Sequence, residues 1–383
     1  MPTTAARPFP HERALLFTLT AVQFTHILDF MIMMPLGARL MQVFGITPTQ
    51  FSLLVASYGF AAAATGFLGG FVLDRFDRRS ALLTLYTGFG IATLACALAP
   101  TYEILMAARI AAGACGGVAG SLVTSMVGDV IPPERRGRAM GMVMTAFPIA
   151  SVFGVPAGLI LSGWLEWHAP FQLLALCSAG ILFYARRVLP HVPAHRSDNH
   201  PVRQMVEILT HPIHRRCFLL SGVLVFAGAS VVPFMAPSLI TNVGLDERWE
   251  LPLVYLFGGA CAFVTMPWLG RLSDRHDKLH VLAVVSLLAV AVVPFITNLG
   301  PGPLPYTLVT TTLFFIAMSG RFAPAMAMIT NAVAARYRGG FMSVNSAVQQ
   351  ASGGLANLTA GLLITQTASG QLVGYARAGF VAG

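Results

Sequence analysis

The chain has 383 residues, of which 56% are hydrophobic and only 10% charged. A soluble globular chain carries about 25% charged residues, so two or three water-facing domains are excluded and a polytopic membrane protein is indicated. The 24 Lys and Arg against 15 Asp and Glu leave a formal +9, an excess to be tested first as membrane topology and only then as a nucleic-acid footprint.

A helical crossing takes about 20 mainly apolar residues. In chain order such runs fall near 14–38, 51–73, 80–100, 102–127, 138–162 and 168–189, then near 217–242, 251–272, 279–298, 304–334 and 340–366. Barrel-type alternation is lacking. The first run follows Arg7 and Arg13 but is closed by no small-x-small cleavage site, so it reads as a retained span. The last apolar segment runs from Leu372 to Gly383, too short to cross, which suggests a twelfth span cut short. The intervening stretch 190–216, Pro- and His-bearing and polar, reads as a linker between a bundle over 1–189 and another over 217–383.

Charge then orients the spans. One side collects Arg7, Arg13, Arg75, Arg78, Arg79, Arg135, Arg136, Arg138, Arg186, Arg187, Arg196, Arg203, Arg215, Arg216, Arg271, Arg275, Lys278, Arg336 and Arg338, nineteen of the 24 basic residues. The other keeps Arg39 and Arg248 beside Glu103, Glu166, Asp246, Glu247 and Glu250. The positive-inside rule places the nineteen, the linker and the N-terminus in the cytoplasm. The +9 is therefore topology, and nucleic acid drops out as a partner.

The five cysteines are scattered, with no CxxC and no His at zinc spacing, so neither a metal site nor a disulfide framework is expected. HExxH, GxSxG and Walker-type loops are also missing, which removes the usual warrants for an enzyme and for a cofactor.

The two halves repeat each other. Gly70-Phe-Val-Leu-Asp74-Arg75-Phe-Asp77-Arg78 returns 200 residues later as Gly270-Arg-Leu-Ser-Asp274-Arg275-His-Asp277-Lys278, each at the cytoplasmic end of a second span. On these residues the chain resembles the major facilitator transporters, which are built from two parallel six-helix repeats. Their loop motif G-x-L-a-D-R-x-G-R-R/K matches at Gly70, Asp74, Arg75, Arg78 and Arg79, with Asp77 in place of glycine. Leu28-Asp29 with Pro35 resembles the first-span motif of twelve-span drug exporters. Arg109-x-x-x-Gly113 resembles the fourth-span motif associated with proton coupling. Gly141, Gly154, Pro156 and Gly158 resemble the fifth-span antiporter motif, with Ala150 and Leu159 at two of its glycines.

The resemblance, nearest to bacterial drug:proton antiporters and sugar-efflux permeases, implies an all-α twelve-span fold in the bacterial inner membrane. It also implies a monomer, small-molecule substrates and protons as partners, and proton-coupled efflux by alternating access. Symport, uniport and a non-transporting membrane receptor stay open beside it.

Within that frame Asp29 and Arg109 are the candidate proton-coupling pair. They lie about nine and seven residues below the outer ends of their spans, depths that agree within one helical turn. Intramembrane charges are costly and usually find a partner inside the bundle; a fixed ion pair that never titrates is the alternative. His26, one turn from Asp29, either assists the proton or packs as a hydrogen-bonded side chain. Arg321 either meets an anionic group or satisfies backbone carbonyls. Asn345 and Gln349, with Gln350 and Asn357, either bind substrate or join helices. Met33, in the run Met31–Met34, suits variable apolar ligands or simple packing. Gly70, Asp74, Arg75, Arg78, Asp274, Arg275 and Lys278 form a candidate conformational latch, the alternative being a topogenic charge cluster.

Overall fold

The computed structural model describes residues 12–72, 76–192, 201–334, 337–367 and 370–382. Asp74, and Arg7, Arg75, Arg196 and Arg336 of the basic set, lie outside the described residues. The fold is all-α. The N-terminal half comprises α1 Glu12–Ile32, α2 Gly37–Phe44, α3 Pro48–Val72, α4 Arg78–Ala97, α5 Tyr102–Val130, α6 Pro133–Met144, α7 Ala146–Ile149, a π-helical turn Ala150–Gly154, α8 Val155–Trp164 and α9 Ala169–Val188. After α10 Pro201–Thr210, the C-terminal half comprises α11 Pro212–Ala229, α12 Val232–Ser238, a second π turn Leu239–Val243, α13 Glu250–Arg275, α14 Lys278–Thr297, α15 Leu304–Gly320, α16 Phe322–Ala332 and α17 Arg338–Leu363. A two-residue antiparallel pairing, β1 Thr365–Gln366 with β2 Leu372–Val373, precedes α18 Tyr375–Ala382.

Ten of these segments are long and apolar enough to cross a membrane. The eleventh expected crossing is α17, 26 residues long, whose hydropathy is lowered by Asn345, Gln349, Gln350 and Asn357. Four expected spans are not single α-helices, and the run 138–162 is divided among α6, α7, the first π turn and α8. The run 14–38 breaks over 33–36, because Pro35 brings no N–H and its ring cannot sit inside the ladder; the chain resumes as α2. The run 217–242 breaks at Ser230–Val231, two residues before Pro233. The run 304–334 breaks at Arg321, three residues before Pro324. The linker region is also less open than a polar stretch suggests. Its α10 turns Met205 and Ile208 inward, where Ile208 packs in a cluster with Phe218, Ile329, Phe341 and Val344.

The halves meet at one end. Phe51 of α3 stands edge-on to Phe234 of α12 at 5.8 Å, and Trp164 of α8 to Trp249 at 5.9 Å. Thr49 donates to the Gly361 carbonyl of α17 at 2.8 Å. Within the N-terminal half at the same end, Arg39 donates to the Ser162 carbonyl at 2.6 Å. Arg39 and Arg248, the two basic residues assigned to the outer side, both lie at this sealed end, Arg248 against Gly163.

At the opposite, basic end, the aspartates that interrupt the repeated motif have a structural task. Asp77 caps α4, accepting from the Ser80 N–H at 2.9 Å and the Ser80 hydroxyl at 3.0 Å, while its other oxygen accepts from the Val192 N–H at 3.0 Å. Asp277 caps α14 by accepting from the Leu279 N–H at 2.9 Å. Asp77 reaches this geometry at φ −59°, so the glycine of the motif is not needed. Partial burial pushes the Asp77 carboxyl up, but the donors of Ser80 and Val192, with His191 nearby, outweigh it and hold the carboxyl below its usual range. The Leu279 N–H, followed by His280, does the same for Asp277.

A depressed acid contributes stability above its unfolded pKa of about 3.9 and loses it as pH falls through the folded value. Asp77→Ala should therefore cost about 1 kcal/mol near neutrality, read as a lower thermal midpoint of the detergent-solubilised protein. Asp77→Asn should keep most of the cap and show a shallower loss than the native chain between about pH 5 and pH 3.

Candidate functional site

A cavity of about 2310 Å³ lies between the halves, lined at its deep end by Gln23, His26, Met31 and Asn357 and at its mouth by Arg78, Arg136 and Arg338. The mouth is thus at the basic end, opposite the aromatic seal. Of the five residues expected to face substrate, His26, Arg321 and Gln349 line this space, and so do Gln350 and Asn357. Met33 and Asn345 do not. Met33 is fully buried in the hydrophobic core at the turn after α1, and Asn345 is 2% exposed and turned into the helix packing. Assigning those two from apolarity or polarity alone missed which face of the segment each occupies.

Asp29 and Arg109 do meet, as their depths imply. Arg109 Nη1 donates to Asp29 Oδ2 at 2.7 Å and to the Asp29 carbonyl at 3.2 Å, and the Thr93 hydroxyl donates to Oδ1 at 3.3 Å. Both charged side chains are 0% exposed. The guanidinium carbon stands 4.4 Å from the centroid of the Tyr58 ring. One nitrogen therefore carries the ion pair, and Arg109 Nε and Nη2 have no partner among the described residues. The pair sits behind the cavity wall, among α1, α4 and α5, and neither residue lines the cavity. His26 does, and its Nδ1 lies 3.5 Å from the Tyr58 hydroxyl. His26, Tyr58 and Arg109 thus form a series of contacts between the cavity and the buried carboxylate.

The motif glycines place this pair. A Cβ on Gly113 would fall on the Tyr58 carbonyl oxygen and 2.8 Å from Tyr58 Cα, so only glycine lets α5 lie against α3 where Tyr58 faces Arg109. Gly154 and Gly158 lie where the π turn and α8 pack against α1, a milder constraint because the neighbours are side-chain tips rather than backbone. Added Cβ atoms there would meet Leu28 at 2.8 Å and Ile32 at 2.6 Å, on either side of Asp29. Pro156, buried at the start of α8, lacks the N–H that a continuous α-ladder would use, and the π turn immediately precedes it.

Arg321 occupies the break between α15 and α16, 6% exposed. Its Nη2 faces the Met318 sulfur, a weak acceptor, and its Nε has no partner among the described residues. Satisfaction by neighbouring carbonyls, one of the two roles open from the sequence, is not realised at these two nitrogens.

Of the latch residues, Gly70 is placed within α3, and Arg78 pairs with Asp129 of α5 at 3.3 Å. Asp274 and Arg275 are exposed at the end of α13, and Lys278 opens α14. A neighbouring bridge joins Arg135 to Glu12 at 2.8 Å.

The family model of the Major Facilitator Superfamily matches residues 19–357. A chloramphenicol resistance protein of Streptomyces lividans is 28% identical over 308 residues, 77% of each chain. A probable sugar efflux transporter of Pasteurella multocida (strain Pm70) is 21% identical over 258 residues, 67% of this chain and 63% of the other. Among solved structures, an inward-facing, unoccupied bacterial homologue of the human lysosomal transporter Spinster superposes with TM-score 0.76 at 18% identity, covering 92% of this chain and 82% of that one. A D-xylose–proton symporter superposes equally well, with TM-score 0.76 at 15% identity over 97% and 95% of the two chains.

Proposed function

The chain belongs to the Major Facilitator Superfamily, a family of membrane transporters, and from that premise we propose that it is a proton-coupled exporter of a small organic solute working by alternating access. The observation that carries the reading is the cavity between the halves, sealed by aromatic and backbone contacts at one end and open at the basic end. That geometry is one of the two end states such a cycle needs. With the basic end in the cytoplasm, the cavity would load from inside a bacterial cell across its inner membrane, as a monomer. The efflux direction is supported by the two relatives whose names carry resistance and efflux.

Asp29 is the proposed proton carrier and Arg109 its counter-ion. Exchange of solute in the cavity and exchange of a proton on Asp29 are linked, in this proposal, by the His26–Tyr58–Arg109 contacts. The latch is proposed to close when the basic end shuts: Arg78 already holds Asp129, while Asp274 is still exposed. A second reading, uniport with a structural ion pair, draws on the complete burial of Asp29 and Arg109 away from the cavity.

Proteoliposomes loaded at acid pH and diluted into alkaline buffer separate the two. Labelled chloramphenicol, chosen from the relative's name, should accumulate in them and leak out on adding a protonophore. Counterflow that persists without any response to the pH gradient would favour uniport, and absence of counterflow would favour a receptor. Orientation is checked in intact cells expressing the protein. A cysteine introduced at Thr101 should react with an impermeant thiol reagent from outside, and one at Ser197 only after permeabilisation.

A further inference from the structure

Asp and Glu are missing from the described lining of the cavity, whose charged members are Arg78, Arg136, Arg321 and Arg338. Arg78 is neutralised by Asp129, Arg136 and Arg338 are exposed at the mouth, and Arg321 is held inside the wall. It is 94% buried by its 6% exposure, with Nε unpartnered and Nη2 on a thioether. Among the described residues no carboxylate makes an ion pair with it. A guanidinium taken out of water without a counter-ion is unfavourable, and a chain that carries one leaves a place for an anion to complete. The remaining polar lining, including Gln23, His26, Gln349, Gln350 and Asn357, offers donors and acceptors but no formal negative charge.

We propose that the cavity selects amphipathic solutes bearing a carboxylate, which seats on Arg321 while the aromatic or apolar body lies against the Met- and Phe-lined walls, and that it rejects cations of the same shape. This rests on the transport reading and narrows it. The planar fork of Arg321 matches a carboxylate in two-point geometry where a lysine would act only as a point charge. Arg136 and Arg338 at the mouth raise the local concentration of anions and repel cations before they enter. The order of charge is therefore set twice, by steering at the entrance and by a specific partner inside.

Naphthoate, naphthamide and trimethyl(naphthyl)ammonium share one aromatic body and carry charges of opposite sign or none. Purified protein in detergent, titrated with each and followed by thermal shift, should bind the carboxylate at least about tenfold more tightly than the amide, and the ammonium least. Arg321→Gln should bring the carboxylate down to the level of the amide while leaving amide binding intact. Arg321→Lys should recover part of the difference. Because the Gln variant removes an unpaired buried charge, its ligand-free midpoint should not fall, so lost binding will not be lost folding. A carboxylate that binds no better than the amide, an ammonium that matches it, or an advantage that survives Arg321→Gln overturns the proposal. Flux of labelled chloramphenicol and of labelled naphthoate is read separately, in proteoliposomes made from the same protein. Gradient-driven flux of either solute without carboxylate preference removes only the charge assignment, whereas carboxylate preference without flux of either solute removes the transport reading.

Discussion

Asp29→Asn should abolish accumulation driven by a pH gradient while leaving counterflow of the same solute near its native rate. The substitution keeps the shape of the side chain and mimics its protonated form permanently, so the cycle can still exchange solute but has no proton to release. The buried geometry makes the companion variant more severe. Arg109→Ala deletes the partner of a carboxylate that is 0% exposed, and truncating one side of a buried pair costs about 3–5 kcal/mol because the other charge is left without compensation. It also removes the cation that Tyr58 stacks beneath. The thermal midpoint should drop steeply, and combining it with Asp29→Asn should return a substantial part of the loss, since the double variant leaves no isolated charge. Arg109→Lys keeps a charge but must serve both the Asp29 carboxylate and its carbonyl, now met by one guanidinium nitrogen, without the ring contact. Gradient-driven accumulation that survives Asp29→Asn at full rate would make the pair structural and move proton coupling elsewhere.

The pairing of Asp29 with Arg109 was legible because membrane depth reduces a three-dimensional question to a one-dimensional one. Two unlike charges at one depth in a medium that penalises each have few alternatives to meeting. Depth does not say which way a side chain faces, so it did not reveal that the pair lies behind the cavity wall rather than on it, or that Met33 and Asn345 are in the packing. Rotational position in an apolar span leaves little trace in the sequence, since lipid-facing and core-facing residues are equally hydrophobic. The break after Ile32 was signalled by Pro35, and those after Ala229 and at Arg321 by Pro233 and Pro324, although an unbroken hydropathy run hides them. The aspartates at 77 and 277 stood out as departures from a loop motif. Their use as N-caps follows from local hydrogen-bonding chemistry that applies at any helix start, and Ser80 three residues on was the available cue. The unpartnered state of Arg321 could not be read at all, because whether a buried guanidinium finds a carbonyl depends on the neighbouring helices.

The other large effect belongs to a residue with no side chain. Gly113→Ala adds one methyl group where α5 crosses α3, and the obstacle is the Tyr58 backbone, its carbonyl oxygen and Cα, which cannot swing aside as a side-chain tip does. The helices must separate, and overpacking of this kind costs about 1–3 kcal/mol or more. Separation acts directly on the coupling pair, because Tyr58 is the residue whose ring faces the Arg109 guanidinium and whose hydroxyl lies near His26. Gly128→Ala in the same helix is the matched control. A Cβ there meets nothing within 4 Å, so the variant should be neutral or gain about 0.5–1 kcal/mol from the lower entropy of the unfolded backbone. Thermal midpoints of the two variants should therefore move in opposite directions. Gradient-driven transport should fall in Gly113→Ala even at temperatures where the protein remains folded. Equal midpoints for the two would mean that α5 can shift without cost, and the fourth-span motif would then owe its glycine to something other than the close approach that holds Tyr58 under Arg109.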